Sequence, residues 1–102
     1  MSRRDEFHQD LCDVLGSPHA YFQPPESIKL VYPCFVYETS RDDIKHADDK
    51  HYLTREGYDV TYISKDPDDD MKEELDDRFD YCEWQRRFIS DNLNHNIFKI
   101  YY

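Results

Sequence analysis

The last dozen residues, Asp91-Asn92-Leu93-Asn94-His95-Asn96-Ile97-Phe98-Lys99-Ile100-Tyr101-Tyr102, constrain the fold more than any other segment. A polar turn rich in Asp and Asn runs directly into aromatic and β-branched residues, and the sequence stops there. Chain ends fray unless contacts tie them down. An end this apolar is expected to be buried as a strand, in the chain's own sheet or against another subunit. A sheet-based protein that assembles is the expectation.

With 102 residues the chain reads as one domain, residues 1–102, with little volume left for a deep catalytic cleft. Mean hydropathy is low, at -1.00, yet 16% of the residues are aromatic. Disordered chains are poor in aromatics, so the polarity belongs to the surface and the core is expected to be built from Tyr, Phe and Trp. The formal charge of -10 is concentrated. Between Asp66 and Asp80 nine acidic residues face only Lys72 and Arg78, a net of about -7. Phosphate backbones demand basic patches, so tight nucleic-acid binding is disfavoured; a basic partner or a DNA-repelling wall fits better.

Cys12, Cys34 and Cys82 are too scattered for a C-x-x-C knuckle and odd in number for a full disulfide set, so reduced core thiols are expected. The N-terminal Met1-Ser2-Arg3-Arg4-Asp5-Glu6 lacks a signal peptide's apolar region, and no run of about 18 apolar residues exists to span a membrane. Synthesis and folding in a reducing cytosol are expected.

Phe7, Leu11, Val14 and Leu15 recur at helical spacing, which predicts a helix over about 4–15, stopped by Gly16 and Pro18. Tyr21-Phe22 suits a short edge strand or an arm, ended by Pro24-Pro25. Residues 28–38 read as a strand apolar on both faces, with Pro33 out of place in it. Residues 40–50 read as a loop, and 51–64 as a strand with Tyr58, Val60 and Tyr62 inward and Asp59 and Thr61 outward. Asp66 as N-cap and Pro67 at the first position predict an acidic helix over about 67–79, with Met71, Leu75 and Phe79 as its apolar stripe. Strands over 81–89, with Cys82, Trp84 and Phe88 on one side, and over 94–102 complete a hairpin across the Ser90–Asn94 turn. The expected fold is α+β, a mainly antiparallel sheet with two helices packed on it, in the order α-β-β-α-β-β.

Catalytic readings are weak. Asp66, Asp68 and Asp70 imitate the start of a calcium loop, but Met71 and Asp77 stand where Gly and Glu are needed. His46, Asp48, Asp49 and His51 lie in an unpatterned loop without ligand spacing. Asn92, Asn94 and His95 resemble half of a His-Asn-His nuclease centre whose partner histidines are missing; the alternative is turn hydrogen bonding by Asp91 and Asn92 with His95 packing locally. Gly16 and Gly57 are the only glycines, which excludes a glycine-rich phosphate cradle. Lys99 reads as the outward residue of a half-buried edge. No enzyme, cofactor or metal is expected.

Three segments carry a resemblance: Tyr32-Pro33-Cys34-Phe35-Val36-Tyr37; Tyr58-Asp59-Val60-Thr61 leading to Asp66-Pro67-Asp68; and Asp91-Asn92-Leu93-Asn94-His95 with the closing Ile97-Phe98-Lys99-Ile100-Tyr101-Tyr102. In order and spacing, from about residue 7 to the end, the chain resembles the tail-terminator or tail-completion proteins of the neck of long-tailed bacteriophages. The resemblance implies a non-catalytic virion protein, made in the bacterial host cytoplasm and located at the tail-neck junction. It implies a homo-oligomeric ring, typically a hexamer, that caps the tail tube protein and joins it to the head-tail connector or head-closure protein. DNA would pass through without specific binding, and no membrane is involved. The chain departs from the family pattern at Tyr62-Ile63-Ser64-Lys65 and in its very acidic second helix.

Loops and termini carry contacts in ring proteins. The candidate interface residues are therefore Tyr21 and Phe22 in the arm, Arg41, Asp42, Asp43 and Lys45 in the polar loop, and Asp91, Asn92, Asn94 and His95 at the turn. A head-closure or adaptor protein of the same neck is the alternative within this class. A small acidic binding module or DNA mimic is the alternative outside it.

Overall fold

In the computed structural model, which describes residues 3–40, 57–66 and 70–102, the first helix, α1, spans Arg3–Leu15. Asp5 and Glu6 sit in its first turn, at the positive end of the helix dipole. Gly16, at φ +79°, ends it: the Gly16 and Ser17 amides both donate to the Cys12 carbonyl, at 2.8 and 3.3 Å. Phe7 and Leu11 are fully buried on its inner stripe, with Val14 and Leu15 half-buried beside them.

Five strands follow: β1 (Ala20–Phe22), β2 (Cys34–Thr39), β3 (Gly57–Ser64), then, after helix α2 (Met71–Arg78), β4 (Tyr81–Ser90) and β5 (Leu93–Tyr101). They form one sheet in the order β1-β2-β3-β5-β4. β1 runs parallel to β2, and every other pair is antiparallel. The fold is α+β with a mixed sheet, the expected order enlarged by the short β1.

Register sorts the side chains. Phe35 lies opposite Tyr62, Tyr37 and Phe98 flank Val60, and Ile100 lies opposite Tyr58. These residues share one face and join Phe7, Leu11, Met71, Leu75 and Phe79 of the helical layer in a single core. Phe7 is its centre: its ring stacks on Tyr58 at 4.3 Å and lies 5.2–5.5 Å from Tyr37, Phe79 and Tyr102. A polar clasp ties the two helices and the final strand. Arg78 Nη2 donates to Asp10 Oδ1 at 2.6 Å and to Asp13 Oδ2 at 3.4 Å, and the Tyr102 hydroxyl donates to Asp10 Oδ2 at 2.6 Å.

The structure corrects four local expectations. Residues 28–33 are not strand; β2 begins at Cys34, immediately after Pro33, so the proline needs no place in the ladder. Helix α2 begins at Met71 with Asp70 at the N-cap, not Asp66, and the Asp70 side chain makes no capping bond. The turn is only Asp91-Asn92, because Leu93 already pairs with Ser90. Lys99 is not on an edge: β5 lies between β3 and β4, and Lys99 is buried at a position opposite both Asp59 and Glu83. Part of the strand expected at 51–64 lies outside the described residues; its inward pattern of Tyr58, Val60 and Tyr62 is present in β3.

The sequence pattern also missed a β-bulge. Register shifts between Trp84 and Arg86, leaving Gln85 as an extra residue. Trp84 lies opposite the core residue Phe98, whereas Phe88 lies opposite His95, on the other face of the sheet. Cys82, Trp84 and Phe88 therefore do not share a side.

Candidate functional site

The face of the sheet turned away from the helices is the distinctive surface. Val36, Thr61, His95 and Phe88, one each from β2, β3, β5 and β4, point to it, and the segment containing Pro24, Ile28 and Leu30 arches over them. Between segment and sheet lies an open, mainly apolar groove of about 380 Å³. His95 stacks on Phe88, with ring centroids 4.6 Å apart, and its Nδ1 lies 3.2 Å from the Leu93 carbonyl oxygen. The sequence signals for the groove were Ile28 and Leu30 ahead of β2. Phe88 was missed because the bulge reverses its side.

The candidate interface residues that are described fall into two separated patches. Tyr21 and Phe22 are half-buried in β1, at one edge of the sheet. The Tyr21 hydroxyl accepts from the Val31 amide at 3.4 Å, and the Arg4 guanidinium sits 4.4 Å above the Phe22 ring. Asp91 and Asn92 are exposed at the opposite side, at φ +54° and +63°, the left-handed pair that a tight two-residue hairpin requires. Asn94 is buried, and His95 is half-buried at the groove. Arg41, Asp42, Asp43 and Lys45 lie outside the described residues, as do His46, Asp48, Asp49 and His51.

The three thiols are poor nucleophiles. Burial pushes the Cys34 thiol up to about 11; burial and then Asp76 push Cys82 up to about 12; burial and then Asp13 raise Cys12. All three cysteines are free, and thiols held neutral are weak nucleophiles. Among the described residues no group of His, Cys, Asp and Glu is arranged to hold a metal ion, and no helix is long and apolar enough to cross a membrane. The arrangement offers surfaces for docking: an apolar groove, a tight projecting turn, and an edge strand, β4, that exposes Trp84, Phe88 and Ile89. The acidic residues Glu73, Glu74, Asp76 and Asp77 of α2 all face solvent.

Comparison of the chain with protein-family models, curated proteins and solved structures returns no match.

Proposed function

We propose that the protein is a structural component of a bacteriophage neck, of the tail-terminator type, acting by ring formation and docking. One observation carries this reading. Of the segments that bear the resemblance, the parts Cys34–Tyr37, Tyr58–Thr61 and Leu93–Tyr101 are distant in sequence yet fall in the adjacent strands β2, β3 and β5, while Pro67 and Asp68 of the second segment lie outside the described residues. The reading requires them to belong to one structural unit. Its two interface patches also suit a ring. A ring closes through contact between two different surfaces of the same subunit, and the β1 arm and the Asp91-Asn92 turn lie on opposite sides of the sheet.

In this reading a homo-oligomer, hexameric in the family it resembles, joins the tail tube protein to the head-tail connector, while the solvated acidic residues of α2 avoid adhesion to passing DNA. The test is native mass spectrometry and negative-stain microscopy of the protein alone and with tail tube or portal protein of the same phage. Rings that bind the tube protein are the expected result. Binding to the portal alone would transfer the protein to the adaptor or head-closure role. A monomer that captures a basic partner, with no ring under any condition, would replace the proposal with the acidic-module alternative.

A further inference from the structure

The strand β4 is the most exposed element of the fold. Among the described residues it terminates the sheet, paired to β5 on one side only. Trp84 and Phe88 are each 40% exposed and Ile89 is 67% exposed. A long edge of this kind is a template for another strand. The question is which strand its side chains accept.

The bulge supplies the answer. By their partners on β5, Tyr81, Glu83, Arg86 and Phe88 share the helix-free side, whereas Cys82, Trp84, Arg87 and Ile89 share the other. Two copies of β4 paired antiparallel about a two-fold axis must keep each side chain on its own side, because directly opposed residues point the same way. Along most of the strand only two registers satisfy this. One sets Glu83 opposite Phe88 of the second copy. The other sets Glu83 opposite Arg86 of the second copy, and by symmetry Arg86 opposite Glu83. The latter also brings Tyr81 opposite Phe88, an aromatic pair, and sets Trp84 of each copy opposite Gln85 of the other across the axis. Without the bulge Glu83 and Arg86 would project to opposite sides, and this reciprocal pairing of charges would be impossible.

We propose that β4 is a homodimerisation edge, and that a second copy of this chain occupies it in the Glu83–Arg86 register, extending the sheet across a two-fold axis. The occupant follows from charge complementarity: Glu83 and Arg86 of one edge meet Arg86 and Glu83 of the other, in a register that the bulge creates. This contact joins like surfaces and is distinct from the contact that closes a ring. It does not rest on the ring reading.

Sedimentation velocity over a wide concentration series tests it, with Glu83→Arg, Arg86→Glu and the double exchange, each checked by circular dichroism. Both side chains are exposed, and buried Lys99, opposite Glu83, keeps Asp59 opposite it on β3, so the fold is expected to survive. Each single reversal opposes like charges twice per dimer and is expected to weaken association at least about tenfold. The double exchange restores the pairs and the dimer. In parallel, backbone amides of wild-type β4 are expected to exchange with deuterium more slowly as concentration rises. A wild-type protein monomeric throughout, single variants that dimerise normally, or a double variant as weak as the singles would each overturn the proposal.

Discussion

Phe7 and Phe88 are the same residue in opposite circumstances, and comparing their truncation tests how the core is built. Phe7 is fully buried, and its four ring neighbours come from β2, β3, the residue after α2 and the residue after β5. Phe7→Ala removes the ring from all of them and leaves a cavity that no single element can collapse to fill. Buried Phe→Ala substitutions cost about 3–5 kcal/mol. The stacked Tyr58 pair alone supplies roughly 0.5–1.5 kcal/mol beyond its area. Domains of this length are stable by about 5–15 kcal/mol, so Phe7→Ala is expected to remove roughly a fifth of the total or more.

At roughly 4–8 °C per kcal/mol, the Tm falls by about 12–40 °C. Phe88→Ala, at a position 40% exposed, is expected to cost less than about 1 kcal/mol. Urea titration followed by far-ultraviolet circular dichroism measures both, with the slope as a check that the cooperative unit is unchanged. If Phe7→Ala costs no more than Phe88→Ala at an unchanged slope, α1 is not part of the cooperative core, and the account of this fold is wrong.

Two further outcomes are expected. Asn92, at φ +63°, tolerates the left-handed region because of its short polar side chain. Asn92→Ala should therefore destabilise by roughly 1–2 kcal/mol, while Asn92→Gly is neutral or stabilising; a thermal melt that ranks them otherwise would refute the turn assignment. Burial holds Tyr37 and Tyr102 neutral, pushing both up from 10.0 to about 12, with the Asp10 carboxylate adding to the effect at Tyr102. Cys34 and Cys82 are raised from 9.0 to about 11 and about 12. Each folded-state value lies above the unfolded one, so this contribution to stability is complete below pH 9 and is lost as pH rises toward 12. Tyrosinate absorbance should show a late-ionising class that appears with unfolding; a single class titrating near pH 10 would refute it.

The inward pattern of β3, the α1 stripe and the α2 stripe of Met71, Leu75 and Phe79 were legible because apolar period and burial agree there. Misreadings arose where one residue shifts the period or where partners lie far away in sequence. Residues 28–33 carry strand-forming side chains, but Ile28 and Leu30 line the groove instead. Lys99 looked like an edge cation because the sequence does not show that β5 would be flanked by β3 and β4, with Asp59 and Glu83 at its level. The bulge at Gln85 has no sequence signature in this chain, since neither Gly nor Pro marks it. It nevertheless decides which side Phe88 takes. The candidate interface reads from sequence as three segments, of which the polar loop lies outside the described residues; the placement of the other two on opposite sides of the sheet comes from strand order, which local pattern does not encode.

The features of β4 weigh differently when taken together. A bulge and charged side chains are devices by which natural sheets discourage indiscriminate edge pairing, and β4 has both, in Gln85 and in Glu83, Arg86 and Arg87. A strand that only needed protection would not also expose Trp84, Phe88 and Ile89. Apolar exposure favours pairing with any strand. The charges penalise every register in which Glu83 or Arg86 meets a like charge, and the bulge fixes which residues can meet at all. In combination they exclude most partners and favour one, a second β4 whose Arg86 meets Glu83. Selectivity of this kind requires attraction and penalty on the same edge, and the charge-exchange variants separate the two, because they reverse each penalty while leaving the apolar surface untouched.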